Sequence, residues 1–192
     1  MATANTIFQK SNRGIAALAL VVFTLDQFTK WLVLRHLDLG DERIVIPGFF
    51  KLVHWENTGA AWSCFSGNNA TLALVAVLAL VALYLTRHHF SSHTLGGQIA
   101  FGLIFGGIAG NLADRVLGLV FGGTAVNLTD RLLPTRRAVV DFLYFYLQQR
   151  GGRVIDFPAF NVADTAICTG VGLIFLLTWK TEHVAKPVTG DT

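Results

Sequence analysis

The chain has 192 residues, of which 53% are hydrophobic and only 14% charged, with a mean hydropathy of +0.53. This composition belongs to integral membrane proteins and excludes an ordinary soluble domain; the length fits one domain, 1–192, with about four spanning helices of roughly 20 residues. The net charge of +3 comes from scattered basic residues, which argues against nucleic acid as a partner.

Lys10 and Arg13 precede an apolar run from Ile15 to Leu25 that imitates a signal peptide. No small-x-small cleavage site follows, and the apolar pattern resumes at Trp31. The segment is therefore expected to remain as a first span, about Gly14 to Leu34, interrupted by Asp26, Gln27 and Lys30. A polar stretch from Arg35 to Arg43 leads into IVIPGFFKLVHWENTG. Its β-branched and aromatic residues around Pro47-Gly48 predict one or two short strands outside the lipid. Ala70 to Leu85 predicts the second span, and Arg87 to Thr94 a short basic connection. His88, His89 and His93 lie in that connection without metal-ligand spacing, as expected of a solvated interfacial loop. The third span begins near Leu95 and carries GLIFGGIAGN, whose small residues let neighbouring helices approach closely. Residues 116–160 form the longest connection and hold five arginines between Arg131 and Arg153. The fourth span runs from about Asn161 to Trp179-Lys180. Cys64 and Cys168, isolated in apolar surroundings, read as packing residues. Basic residues near the span ends favour cytoplasmic termini and a cytoplasmic Arg87 loop.

Asp26, Asp114, Asp141 and Asp164 stand in or beside these apolar runs, where ionisable groups normally face a bundle interior and mark a functional site. At 1.5 Å per residue, Asp26 lies roughly 20 Å from Arg13, Asp164 roughly 24 Å from Lys180 and Asn111 roughly 25 Å from Thr94. If those reference points mark one interface, three helices deliver polar groups to one depth. Two carboxylates about 4 Å apart repel by roughly 4 kcal/mol at an effective dielectric near 20, or about three pKa units. Such a pair holds one proton near neutrality and can act as base toward water and as acid toward a leaving amine. No Ser or Cys stands with a suitable base, and no His ligands accompany the carboxylates, so neither a covalent nucleophile nor a metal or other cofactor is expected. Asp26 and Lys30 share a helix face at i, i+4, and Arg115 adjoins Asp114, so these two acids read as ion-paired support. Asp141 and Asp164 have no adjacent basic residue and are the candidates for catalysis. The alternative is a small proton-coupled carrier with Asp26, Asp141 and Asp164 as relay groups. It calls for inverted repeats or broken helices, and the chain displays neither.

DQFTK at 26–30, NTGAAWS at 57–63, GGIAGNLADR at 106–115, VVDF at 139–142 and FNVADTAI at 160–167 together resemble the motifs of lipoprotein signal peptidases, in the family's order. The resemblance implies an all-α membrane bundle of four transmembrane helices with a small extracytoplasmic β-sheet and a short amphipathic helix. It implies an aspartic endopeptidase of the bacterial inner membrane, with both termini cytoplasmic and the active site near the outer leaflet. Its partners would be membrane lipid and a diacylglyceryl-prolipoprotein substrate, cut before the lipidated cysteine. Carried over by motif, Asp141 and Asp164 would be the catalytic dyad. Asp26 and Lys30 would hold the first motif, and Asn57, Gly59 and Ala60 would shape the second. Asn111, Asp114 and Arg115 would frame the substrate, and Asn161 would support the dyad. The stretch between Asp114 and Asp141 is longer than the family's spacing and contains a second NLTDR, which leaves Asp130-Arg131 as an alternative third motif. A second VIDF places Asp156 eight residues before Asp164, too close for the pattern, so a loop role is expected for it.

Overall fold

The computed structural model describes residues 2–59, 68–90, 92–121, 138–149 and 151–184. Four helices dominate: α1 (Ala2–His36), α2 (Asn69–Thr86), α3 (Leu95–Phe121) and α4 (Val162–Val184). Each supplies a segment long and apolar enough to cross a membrane: Asn12–His36, Asn69–Phe90 (α2 with the turn that follows it), Leu95–Val120 and Val162–Lys180. Lys30 does not interrupt the first, because its ammonium is neutralised inside the bundle.

α3 is the central helix and packs against the other three. The reason is its glycine stripe. A Cβ at Gly106 would lie 2.6 Å from the Ala19 carbonyl oxygen of α1, and one at Gly107 would lie 2.5 Å from the Ala163 carbonyl oxygen of α4. Backbone meets backbone on both sides, as the small residues of GLIFGGIAGN led us to expect. Gly107→Ala should therefore destabilise the bundle by about 1–3 kcal/mol, since the Ala163 backbone cannot yield even if Ile167, whose Cγ1 would lie 2.7 Å away, changes rotamer. Thermal unfolding in detergent measures this, and an unchanged midpoint would contradict the packing described.

On α4 the buried stripe is Ala163, Ala166 and Gly170, which follows the helical period. Cys168 lies off that stripe and is exposed, contrary to its expected packing role; Cys64 lies outside the described residues. A 3-10 turn, Arg87–Phe90, follows α2, with His88 and His89 exposed. Arg87 is buried instead, because its guanidinium covers the Tyr84 ring and donates to Asn12 of α1 at 3.3 Å.

Four antiparallel strands form one sheet in the order β1-β2-β3-β4: β1 (Glu42–Ile46), β2 (Phe50–Asn57), β3 (Val139–Gln148) and β4 (Val154–Asp156). Of the one or two short strands expected in the segment 44–59, two are present, β1 and β2. Pro47 and Gly48 make their turn, with Gly48 at φ +77° and the Phe49 N–H returned to the Ile46 carbonyl at 3.1 Å. β3 and β4 were not anticipated: VVDFLYFYLQ has the β-branched and aromatic content of a strand but reads as an apolar piece of a long connection. Asp156 accordingly sits on a strand and not in a loop. It accepts a hydrogen bond from the Tyr144 hydroxyl at 3.0 Å on the exposed side. The short amphipathic helix is not among the described residues.

Val33 of α1 packs with Val140 and Phe142 of β3, and Leu34, Leu37, Leu52, Leu143 and Val162 close around them. This cluster seats the sheet on the end of α1. Between Leu52 and Trp55, β2 advances three residues while β3 moves two, from Leu143 to Asp141. This bulge changes the phase of β2. Asn57 then shares a sheet face with Asp141, whereas an unbroken register would turn it to the other side.

Candidate active site

The two aspartates without basic neighbours arrive from different elements. Asp141 lies on β3, is 4% exposed, and accepts from Asn57 Nδ2 at 3.0 Å and from Asn161 Nδ2 at 2.8 Å. Asp164 is in the first turn of α4. Asn161 caps that helix: its Oδ1 accepts the Asp164 N–H at 2.9 Å, and the Asp164 carboxylate accepts the Asn161 N–H at 3.2 Å. This is a reciprocal capping box with Asn and Asp in the usual hydroxyl and carboxylate places. Asn161 thus touches both carboxylates at once. The site joins a strand to a helix start through one buried amide.

Burial and the charge of Asp164 push the Asp141 carboxyl up to about 7, against the opposing pull of Asn57, Asn161 and Lys30. Asp141 is therefore titratable near neutrality.

Behind this pair stands a charged cluster with no exposure to solvent. Lys30 Nζ lies 2.8 Å from Asp26 Oδ2 and 2.7 Å from Asp114 Oδ2, and donates to Asn111 Oδ1 at 2.9 Å. Two carboxylates and an amide oxygen surround the ammonium, which is how a buried cation is tolerated in an apolar bundle. Asn111 then turns its Nδ2 to Asp164 Oδ1 at 2.7 Å. Asp26 contributes a second link, accepting the Ala163 N–H of α4 at 2.9 Å. The i, i+4 pairing of Asp26 and Lys30 is as expected. Asp114 turns across the helix interface to Lys30, because successive helical residues do not face one another. Its sequence neighbour Arg115 reaches the other way, donating to Asn69 Oδ1 at 2.9 Å and to the Gly59 carbonyl at 2.8 Å.

Hydrogen bonds and ion pairs thus bring together Asp26, Lys30, Asn57, Gly59, Asn111, Asp114, Arg115, Asp141, Asn161 and Asp164. Ala60 and the alternative Asp130-Arg131 lie outside the described residues. Asp114 and Arg115 are both engaged in this network. Gln27 was not anticipated as part of the site; its two Nε2 protons are shared among Asp26 Oδ2 at 3.1 Å, Asp114 Oδ1 at 3.2 Å and the Gly110 carbonyl at 3.1 Å. Its position in an apolar span was the available signal. Asn69 offered none.

The chain matches the family model for signal peptidase (SPase) II over residues 18–120 and 116–180. A lipoprotein signal peptidase of Symbiobacterium thermophilum is 41% identical over 160 residues, 83% of this chain and 90% of that protein. One of Anoxybacillus flavithermus is 34% identical over 171 residues, 88% of this chain and 87% of its own. A solved structure described as a bacterial membrane enzyme superposes with a TM-score of 0.68 at 29% identity, covering 92% of this chain and 94% of the other.

Proposed function

The chain belongs to the signal peptidase II family, and we propose that Asp141 and Asp164 are the carboxylates with which it cuts peptide bonds. The activity is removal of signal peptides from prolipoproteins, and the setting is a bacterial membrane crossed by several apolar helices. The comparisons give the carrier reading no support.

The observation that carries the assignment of the dyad is Asn161, whose one amide group bonds to Asp141 while its backbone and Oδ1 engage Asp164. In our reading the pair shares one proton near neutral pH. The ionised member takes a proton from water as that water attacks the scissile carbonyl carbon, and the protonated member gives its proton to the carbonyl oxygen. Collapse of the tetrahedral intermediate then breaks the C–N bond, and the leaving amine takes a proton from the pair. Asn57, Asn161 and Asn111 fix the orientation of the two carboxylates, while the Lys30 cluster anchors Asn111.

The substrate we propose is a diacylglyceryl-modified prolipoprotein cut before its lipidated cysteine. Both termini lie in the cytoplasm, and the sheet and dyad lie toward the outer leaflet. The acyl chains then stay in the bilayer while the peptide bond reaches the pair, each buried CH₂ being worth about 0.8 kcal/mol. A gel-shift assay on one precursor, with and without its diacylglyceryl group, tests this. The lipidated form should be cleaved and the unlipidated form should be a poor substrate. Equal rates would overturn the lipid-dependent reading while leaving the peptidase activity intact.

A further inference from the structure

We propose that Asn69, the first residue of α2, is a positioning residue for Asp141, acting through Arg115, Gly59 and Asn57; this rests on the reading of Asp141 as catalytic. The links are continuous. Asn69 Oδ1 accepts from one terminal nitrogen of Arg115 at 2.9 Å, and the other terminal nitrogen donates to the Gly59 carbonyl at 2.8 Å. The Gly59 N–H donates to Asn57 Oδ1 at 3.0 Å, and Asn57 Nδ2 donates to Asp141 Oδ2 at 3.0 Å.

Each link constrains the next. A side-chain amide keeps its Nδ2 turned to Asp141 only if its oxygen is held elsewhere, and the Gly59 N–H does that. The Gly59 peptide is held in turn by its carbonyl on Arg115. The Arg115 guanidinium is planar, so fixing one terminal nitrogen on Asn69 fixes the direction of the other. Arg115 is 9% exposed and lies within the electrostatic reach of Asp141 and Asp164. Without Asn69 its charge is drawn toward those carboxylates, away from Gly59, and Asn57 loses its anchor. The clamp therefore has two effects: it orients Asn57, and it keeps a cation from closing onto the pair.

The role is separable from the stability of α2. The helix is capped by the preceding residue, Asn68, whose Oδ1 accepts the Thr71 N–H at 3.1 Å. Alanine at position 69 is itself a strong helix former, so Asn69→Ala removes the clamp without weakening the helix by propensity.

The test uses the full-length protein in detergent or bilayer and a lipidated prolipoprotein substrate, measuring kcat, KM and thermal unfolding for four variants. Asn69→Ala should lower kcat about tenfold at near-constant KM, the rate equivalent of losing one hydrogen bond to a charged group. Asn69→Asp, which keeps an acceptor of the same shape for Arg115, should restore kcat to within about threefold of the parent, an allowance under the 1.4 kcal/mol that a tenfold change represents. Asn68→Ala should lower the unfolding midpoint and leave kcat unchanged. Unchanged kcat in Asn69→Ala, or an equal loss of kcat in Asn68→Ala, would overturn the positioning role. Asp141→Asn serves as the fourth arm: if it stays active, the dyad assignment itself has failed, a result distinct from the other two.

Discussion

Asp141→Asn and Asp164→Asn should each lower cleavage of a lipidated prolipoprotein by roughly 10²–10⁴-fold or more, the range that general acid–base catalysis contributes. Neither change should prevent membrane insertion. An amide has the shape of a carboxylate but cannot exchange a proton with water, so the pair loses its function without losing its volume. Near-wild-type turnover in either variant would refute the assignment. The raised Asp141 pKa, about 7, adds two pH signatures. If the pair works with one proton shared, activity follows a bell-shaped curve, declining as pH rises through about 7 and declining again in acid, where both carboxyls hold protons and no base remains. Stability follows the direction of the alkaline limb. The folded state binds the proton more tightly than the unfolded chain, whose aspartates titrate near 4, so this group's contribution to stability falls as pH rises from about 4 to about 7. Asp141→Asn removes that dependence, and the variant should gain stability relative to its parent between about pH 5 and about pH 8, by up to a few kcal/mol. Unfolding midpoints at the two pH values measure the difference directly. A difference independent of pH would mean that Asp141 is ionised throughout.

Much of this site was legible because an apolar chain makes its polar residues conspicuous. Asp26 and Lys30 at i, i+4 predict their own ion pair, and the structure contains it at 2.8 Å. The glycines of GLIFGGIAGN predict close helix packing, and α3 is the helix that the others surround. Other features depend on neighbours that no local pattern encodes. Asp114 sits beside Arg115 in sequence, yet helical geometry sends one to Lys30 and the other to Gly59. β3 finds its partner β2 more than 80 residues upstream, and nothing local to VVDFLYFYLQ announces that pairing. The bulge in β2 is equally silent. It is a matter of register between two strands, and it decides whether Asn57 meets Asp141 at all.

Lys30→Met should be the most damaging change outside the dyad, about 3–5 kcal/mol less stable, because it leaves Asp26 and Asp114 buried without their cation. The affected contacts join three helices: Lys30 and Asp26 on α1, Asp114 and Asn111 on α3, and the Ala163 N–H at the start of α4. Lys30→Arg should not restore the parent's behaviour, since a planar guanidinium cannot direct three bonds to acceptors arranged around a compact ammonium. A combined variant separates the two roles of this lysine. With Lys30→Met, Asp26→Asn and Asp114→Asn together, no uncompensated charge remains, and replacing a buried ionic group as a whole is often neutral for stability. The unfolding midpoint should therefore recover toward that of the parent. Cleavage should stay depressed, because Asn111 Oδ1 has lost the shorter of its two donors, Lys30 at 2.9 Å, and keeps only Asn161 Nδ2 at 3.2 Å, while its Nδ2 is the group that meets Asp164 at 2.7 Å. Thermal unfolding and the gel-shift assay on the same three preparations decide between the outcomes. If Lys30→Met unfolds at the temperature of its parent, the charged cluster does not hold the three helices together. If activity returns along with stability in the triple variant, Lys30 serves the fold alone and Asn111 needs no anchor.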